Sequence, residues 1–370
     1  MALKIIENKI VGTIDNLEEK LEGKLPVDRL ELFYLVNSWG RNFFIYIKDT
    51  NDYKTRIAGN SMQNSYDLSR LDTSKITNMD SLFENTSFDG DISQWNVSKV
   101  TSMKNMFSNA INFNQPLDNW DTSNVTDMNS MFSYAYKFNN NIGKWDVSNV
   151  TSMLYMFSKA LSFNQDLSSW NTSKITNMSG MFFSAKAFNT PLNSWNVSNV
   201  TSMEDMFSNA NSFNQPLDNW DVSKVTLMNY MFNKAIDFNQ DISNWNVSNV
   251  IDFNKMFSSA KAFNQDISSW DMSNVTDMSG MFYEAEAFNK NISSWIFNDN
   301  ANINSLFKYA TDFQNRYNNG NSLPNNTDEI KKWIINNRER MNDIDLKEKH
   351  GEEIDMFFNK FTNIHSINKI

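Results

Sequence analysis

The sequence predicts an α/β solenoid, an array of 25-residue units stacked in parallel. Three observations carry that prediction. Tryptophan recurs every 25 residues, from Trp95 through Trp120, Trp145, Trp170, Trp195, Trp220, Trp245 and Trp270 to Trp295. A Met-Phe pair keeps the same period, from Met106-Phe107 to Met281-Phe282. Alanine stands three residues after each of these Phe residues (Ala110 to Ala285), and a second Phe three residues later (Phe113 to Phe288). A fixed period in this range marks supersecondary units that cannot bury an apolar face alone and do so by stacking on their neighbours.

Residues 1–65 lie outside the period and predict a small α+β cap. Leu25 to Gly40 reads as a helix, with Pro26 in its first turn and Gly40 as its stop. Phe43 to Ile47 is short, aromatic and β-branched, and reads as a strand. The task of such a cap is to cover the open end of the array, which otherwise presents unpaired backbone. The array is assigned to residues 66–317. Leu71 occupies the Trp position of the first unit, followed by Ile76, Met79 and Phe83, and this unit is one residue short before Trp95. The period decays through Ile303, Leu306, Phe307, Ala310 and Phe313.

Within a unit, Met103, Met106, Phe107, Ala110 and Phe113 stand at offsets that fit one face of a short helix. Thr101, Thr126, Thr151, Thr176, Thr201, Thr226 and Thr276 precede that segment and predict N-caps, with Asp127, Asp252 and Asp277 complementing the helix dipole. Proline at 116, 191 and 216 cannot donate to a ladder, so the strand is placed from the next residue: Leu117, Leu192 and Leu217, with Ile142, Ile242, Ile267 and Ile292 equivalent. Asp121 to Asn124 then forms a turn. Each unit reads as strand, turn, short helix and return loop. Parallel stacking at about 4.8 Å per coil gives ten units a length on the order of 50 Å. The recurring Asn114, Asn139, Asn164, Asn189, Asn214, Asn239, Asn264 and Asn289 predict an asparagine ladder that satisfies loop backbone.

Residues 318–370 form a linker and a helical tail. Asn318 to Asn326 is rich in Asn, Gly and Pro, and Asn326-Thr327-Asp328-Glu329 resembles a capping box opening a helix with Ile330, Trp333, Ile334 and Met341. Lys347 to Glu353 reads as exposed. Ile354, Phe357, Phe358 and Phe361 give a short amphipathic stretch that docks on the last repeat or on a partner helix.

Composition narrows the chemistry. A net charge of −10 argues against binding nucleic-acid phosphates, which needs a basic face, and against adhesion to anionic lipid. No cysteine is present, so disulfides, thiolate nucleophiles, cysteine-held metals and acylated N-terminal cysteines are excluded. The two histidines, His350 and His365, lie in the tail without a carboxylate pair at catalytic spacing, and ten glycines form no phosphate-cradling loop. The glycine-rich nonapeptide of calcium-binding solenoids is missing. The threonine column also suggests an ice-binding array, set aside here in favour of helix capping. We expect no enzyme activity, no cofactor and no metal. No signal peptide, lipobox or membrane-spanning run is found, which leaves cytoplasmic, virion-associated and non-classically surface-exposed locations open. Sequons such as Asn124, Asn149, Asn199 and Asn274 fall in the turns that must stack, where glycans would crowd the ladder.

The stretch Phe263-Asn264-Gln265-Asp266-Ile267-Ser268-Ser269-Trp270-Asp271-Met272-Ser273-Asn274-Val275-Thr276-Asp277-Met278-Ser279-Gly280-Met281-Phe282 resembles the repeat of BspA-like leucine-rich-repeat surface proteins, including mycoplasma-type lipoproteins. The likeness covers about two thirds of the chain. It implies a leucine-rich-repeat-like solenoid and work in surface display, adhesion or protein binding, and it carries over no catalytic residue.

Positions that break the period are the candidate binding residues. On the helix wheel three offsets from the first Met point outward, and most units place Ser, Asn or Lys there. Tyr134, Tyr155, Phe183, Tyr230 and Tyr283 are aromatic instead, and the first three fall in successive units and so predict one patch. The rival surface is the strand face, with residues such as Gln115, Asp118, Gln165 and Gln215. The expected function is a non-enzymatic scaffold for protein or glycan ligands, displayed at a cell or virion surface. The alternative is an intracellular adaptor that binds through its ends and uses the array as a spacer.

Overall fold

The computed structural model describes residues 71–367 other than Lys75, together with the backbone of five short strands between residues 4 and 46; side chains are described from 73 to 351. The described residues form a repeat array. Each coil is joined to the next by a single parallel bridge, through Asn78, Ser102, Asp127, Ser152, Asn177, Ser202, Leu227, Asp252, Asp277 and Asn302 in turn.

The bridge lies at the Val-Thr-x-Met segment, not at Leu117 and its equivalents as expected. Leu117 begins a turn instead, with the Trp120 N–H bonded to its carbonyl at 3.2 Å. The indole of the next coil supplies the second donor. Eight indole N–H groups, from Trp120 to Trp295, donate to the equivalent Leu or Ile carbonyl of the preceding coil at 2.9–3.2 Å. A carbonyl held in this way needs no strand partner, so tryptophan replaces a ladder at this corner.

The short helix is also absent. Met103, Asn105, Phe107 and Asn109 donate their N–H groups to Asp127, Asn129, Met131 and Ser133 of the next coil at 2.7–2.9 Å. The intervening Met106, Ser108 and Ala110 turn back to residues 103, 105 and 107 at 2.9–3.1 Å. In a helix every one of these groups would bond within its own segment. The alternation requires two left-handed residues per coil, and Asn105 (φ 55) and Asn109 (φ 56) supply them here. Every coil repeats the pair, for example Ser130 with Tyr134 and Gly180 with Ser184. The threonines are therefore not N-caps. Thr126 places both its N–H (2.9 Å) and its hydroxyl (3.1 Å) on the Thr101 carbonyl, continuing the bridge as a column of β-branched residues.

The core is built of aromatic columns. Successive Phe107 and Phe132 rings stack at 5.4 Å, and within one coil Phe107 and Phe113 lie face to face at 4.0 Å. Met103, Met106, Ala110, Leu117 and their equivalents fill the space around them and are fully buried. The asparagine ladder runs along the rim. The Asn139 N–H is received by Asn114 Oδ1, and each later Asn bonds its predecessor in the same way up to Asn289, at 2.8–3.1 Å.

The N-terminal strands are β1 Lys4–Ile6 and β2 Lys9–Val11, which pair antiparallel; β3 Leu25–Pro26; and β4 Leu32–Val36 with β5 Asn42–Tyr46, also antiparallel. The helix expected over 25–40 is thus replaced by β3 and β4. Leu32-Phe33-Tyr34-Leu35-Val36 is aromatic and aliphatic throughout and pairs with the similar run after Gly40, a hairpin that outweighs the local helix signals. β3 pairs in parallel with β6 Leu71–Asp72, at the first residues of the array.

At the other end, α1 spans Thr311–Asn318, where only the decaying period was expected, and α2 spans Thr327–Ile367 as one helix of 41 residues. Asn326 Oδ1 accepts the Glu329 N–H at 2.9 Å and caps α2 as expected. Ile330, Ile334 and Met341 enter the same core as the last coils. Arg316 of α1 pairs with Asp345 (2.8 Å) and Glu348 (2.6 Å), and the Tyr317 hydroxyl donates to Asp345 at 2.9 Å. The side chains of Ile354, Phe357, Phe358, Phe361 and His365 lie outside the described residues.

Candidate functional site: an apolar edge of the array

The second left-handed turn of each coil builds an outward edge. Its central alanine (Ala110, Ala135, Ala160 or Ala185) is fully buried, which leaves room for nothing larger between coils. The residues before and after that alanine both reach the surface. They are Asn109 and Ile111, then Tyr134 and Tyr136, then Lys159 and Leu161, then Ser184 and Lys186.

In these coils the edge is apolar. Ile111, Tyr134, Tyr136 and Leu161 are each 37–40% exposed. Tyr134 and Tyr136 lie 6.3 Å apart between ring centroids. Lys159 crosses to the coil before it. Its Nζ lies 4.3 Å from the Tyr134 ring centroid and donates to the Tyr134 hydroxyl at 2.8 Å. The same Nζ lies 6.0 Å from the Phe183 ring in the coil after it. A fixed ammonium between two rings is a cation–π arrangement that also holds both rings in place.

The structure therefore brings together two of the five sequence candidates, Tyr134 and Phe183. Tyr155 stands in the first left-handed column (φ 54), with its ring over Gly180. A Cβ on Gly180 would lie 2.0 Å from Tyr155 Cε1, so glycine is what admits the ring. Burial raises the Tyr155 phenol above its ordinary pKa, with Asp205 and Glu204 adding to the shift. Tyr230 is in the same column further along, 5.5 Å from Lys255 Nζ. Tyr283 meets Tyr309 edge-on at 5.5 Å. Ile111, Tyr136 and Leu161 were missed because a helix wheel places their position beside the core stripe; the left-handed turn directs it outward instead.

A family model described as "Mycoplasma protein of unknown function, DUF285" matches the chain three times, over residues 52–165, 116–220 and 212–320. The chain belongs to this family. In this DUF285 chain the overlapping matches follow the repeat, and the apolar edge falls within the first two of them. No curated protein matches the chain.

Elsewhere in this DUF285 array the same edge is mostly polar, with Ile236 and Tyr309 as exposed exceptions. Asn209 and Asn211, Lys234 and Ile236, Ser259 and Lys261, and Glu284 and Glu286 follow in order, with a Lys261–Glu286 ion pair at 2.9 Å. A cleft of about 570 Å³ lies between the last coils and α2, lined by Asn291, Ser293, Arg316, Tyr317, Asn342 and Asp345 among others. Its polar groups largely bind one another: Asn342 Oδ1 accepts from Asn291 (3.0 Å) and Ser293 (2.6 Å). Among the described residues no three His, Cys, Asp or Glu side chains gather as a metal site, and no helix is long and apolar enough to cross a membrane.

Proposed function

We propose that this chain is a non-enzymatic binding scaffold, a leucine-rich-repeat-like solenoid of BspA-like type that holds a protein partner on its apolar edge. The observation that carries the reading is the continuity of Ile111, Tyr134, Tyr136, Leu161 and Phe183 across four coils. Apolar side chains scattered singly need no explanation, whereas a contiguous set on a rigid frame is the usual form of an interaction surface. Aromatic anchors on such a frame lose little conformational entropy on binding. Display at a cell or particle surface belongs to the same proposal and follows from the BspA-like resemblance. Residues 1–65 and 318–370 are taken as end pieces, consistent with the pairing of β3 with β6 and the entry of Ile330, Ile334 and Met341 into the core.

The test is capture of partners from native lysate and from purified particles, using the full chain beside a Tyr136→Ser, Leu161→Ser double variant. Loss of a specific partner in the double variant, with folding unchanged, supports the edge. A second reading, an adaptor that binds through its C-terminal helix, is favoured by the exposed Ile335 and Leu346 on α2. It predicts that the double variant keeps every partner and that Leu346→Glu loses them.

A further inference from the structure

The edge differs in charge from the protein that carries it. The four segments that form it, 108–112, 133–137, 158–162 and 183–187, contain Lys137, Lys159 and Lys186 and no Asp or Glu. The whole chain holds 43 acidic residues against 33 basic ones. The fold does not impose the depletion, since the same positions further along carry Asp237, Glu284, Glu286 and Asp312. Lys137 and Lys186 are exposed at the border of the apolar residues. Lys159 is ordered within them by the Tyr134 hydroxyl and ring. An ammonium has three donors, and the Tyr134 hydroxyl takes one of them.

We propose that this edge recognises an acidic peptide segment of a protein partner, one that carries aliphatic or aromatic side chains between its carboxylates. The inference rests on the scaffold reading above and names the partner's chemistry. The apolar side chains of the segment cover Ile111, Tyr136 and Leu161, and its carboxylates face Lys137, Lys159 and Lys186. A basic, apolar island on an acidic surface repels acidic ligands everywhere except at the island, which provides register as well as attraction.

The experiment is panning of a random-peptide display library on the immobilised full chain, with the winning peptides then synthesised and titrated in solution. The expected winners combine Asp or Glu with Leu, Ile or aromatic residues. Their binding weakens as salt is raised. It falls by about tenfold or more in the Lys137→Glu, Lys186→Glu double variant, whose circular dichroism matches that of the parent. Neutral or basic winners that Leu161→Ser abolishes overturn the partner class and leave the scaffold reading standing. Affinity unchanged by the charge reversal does the same. Failure to enrich any sequence sensitive to Leu161→Ser overturns both readings. A doubled mass in solution that Leu161→Ser returns to monomer assigns the edge to a second copy of the chain and overturns the proposal.

Discussion

A tyrosine with φ near 59°, as at Tyr134 and Tyr230, occupies a backbone region that bulky residues rarely adopt. Each non-glycine residue held there costs about 1 kcal/mol, and the array places two such positions in every coil. The inter-coil hydrogen bonds that these turns permit offset the cost. The glycines in this column test the argument. Gly280→Ala should lose about 1 kcal/mol of stability, since its added methyl comes close only to the flexible Lys255 side chain at 3.3 Å and makes ordinary contact with Tyr283 Cβ at 3.6 Å. Gly180→Ala should lose more, because the Tyr155 ring must leave its place; urea midpoints of the two variants check the order. Trp170→Phe removes the second donor to the Ile142 carbonyl, which keeps only the Trp145 backbone N–H at 3.1 Å. The expected loss from that bond is about 1 kcal/mol, read from the same unfolding curve. At this scale the sequence was informative about which residues are buried and silent about backbone direction. Met103, Met106, Phe107 and Ala110 fit a helix face, and only the Asn, Ser and Gly residues at 105, 109, 180 and 184 signalled left-handed turns.

A coil is bound to its neighbours by one bridge, one indole bond, one asparagine link, the alternating turn bonds and further side-chain bonds such as that from Asn124 Nδ2 to the Ser98 carbonyl, and the bridge residue varies in charge from coil to coil. Burial raises the Asp252 carboxyl above its ordinary pKa against the pull of the Asn254 N–H, and Asp277 and Glu204 add to the rise. A carboxyl raised in the folded state binds its proton more tightly there than in the unfolded chain. Its ionised form therefore costs stability at neutral pH, and the cost fades as acid protonates it. Asp252→Asn should raise the melting temperature at neutral pH, and the gain should vanish below the ordinary carboxylate range. Asparagine already serves at this position in Asn177, where its Oδ1 accepts the Ser179 N–H at 2.8 Å. The expected strand at Leu117 was misplaced for a related reason. Proline at 116, 191 and 216 ruled out a ladder only for those residues, and nothing local revealed that an indole from another coil satisfies the next carbonyl. The capping box at Asn326 was legible because a cap is local, whereas the hairpin of β4 and β5 depends on pairing across a turn.

Across the whole molecule the fixed period means that a unit is removable. Deleting residues 196–220 joins Trp195 to Asp221 and restores the pattern found at Trp220-Asp221. The shortened chain should unfold cooperatively with a smaller urea m-value, because less surface is exposed on unfolding. Deleting one residue more should break the bridge register and lose cooperativity. The array as a whole was legible from tryptophan spacing alone. The candidate edge was only half legible, since Tyr134 and Phe183 stood out as departures from a polar column, while Ile111, Tyr136 and Leu161 depended on a turn geometry that periodicity does not encode.

The indole columns carry a consequence of another kind. Trp120 and Trp145 stack at 6.2 Å with 4° between their planes, as do Trp170 and Trp195 at 6.2 Å and 3°, and Trp245 and Trp270 at 6.4 Å and 5°. Chromophores this close and this parallel share their excited states. Light absorbed by one indole of such a pair is free to pass to its neighbour before it is emitted. One quencher placed on a single coil should darken several tryptophans at once, and a break in the stacking would shorten that reach, so the protein's own fluorescence counts how many coils remain in line.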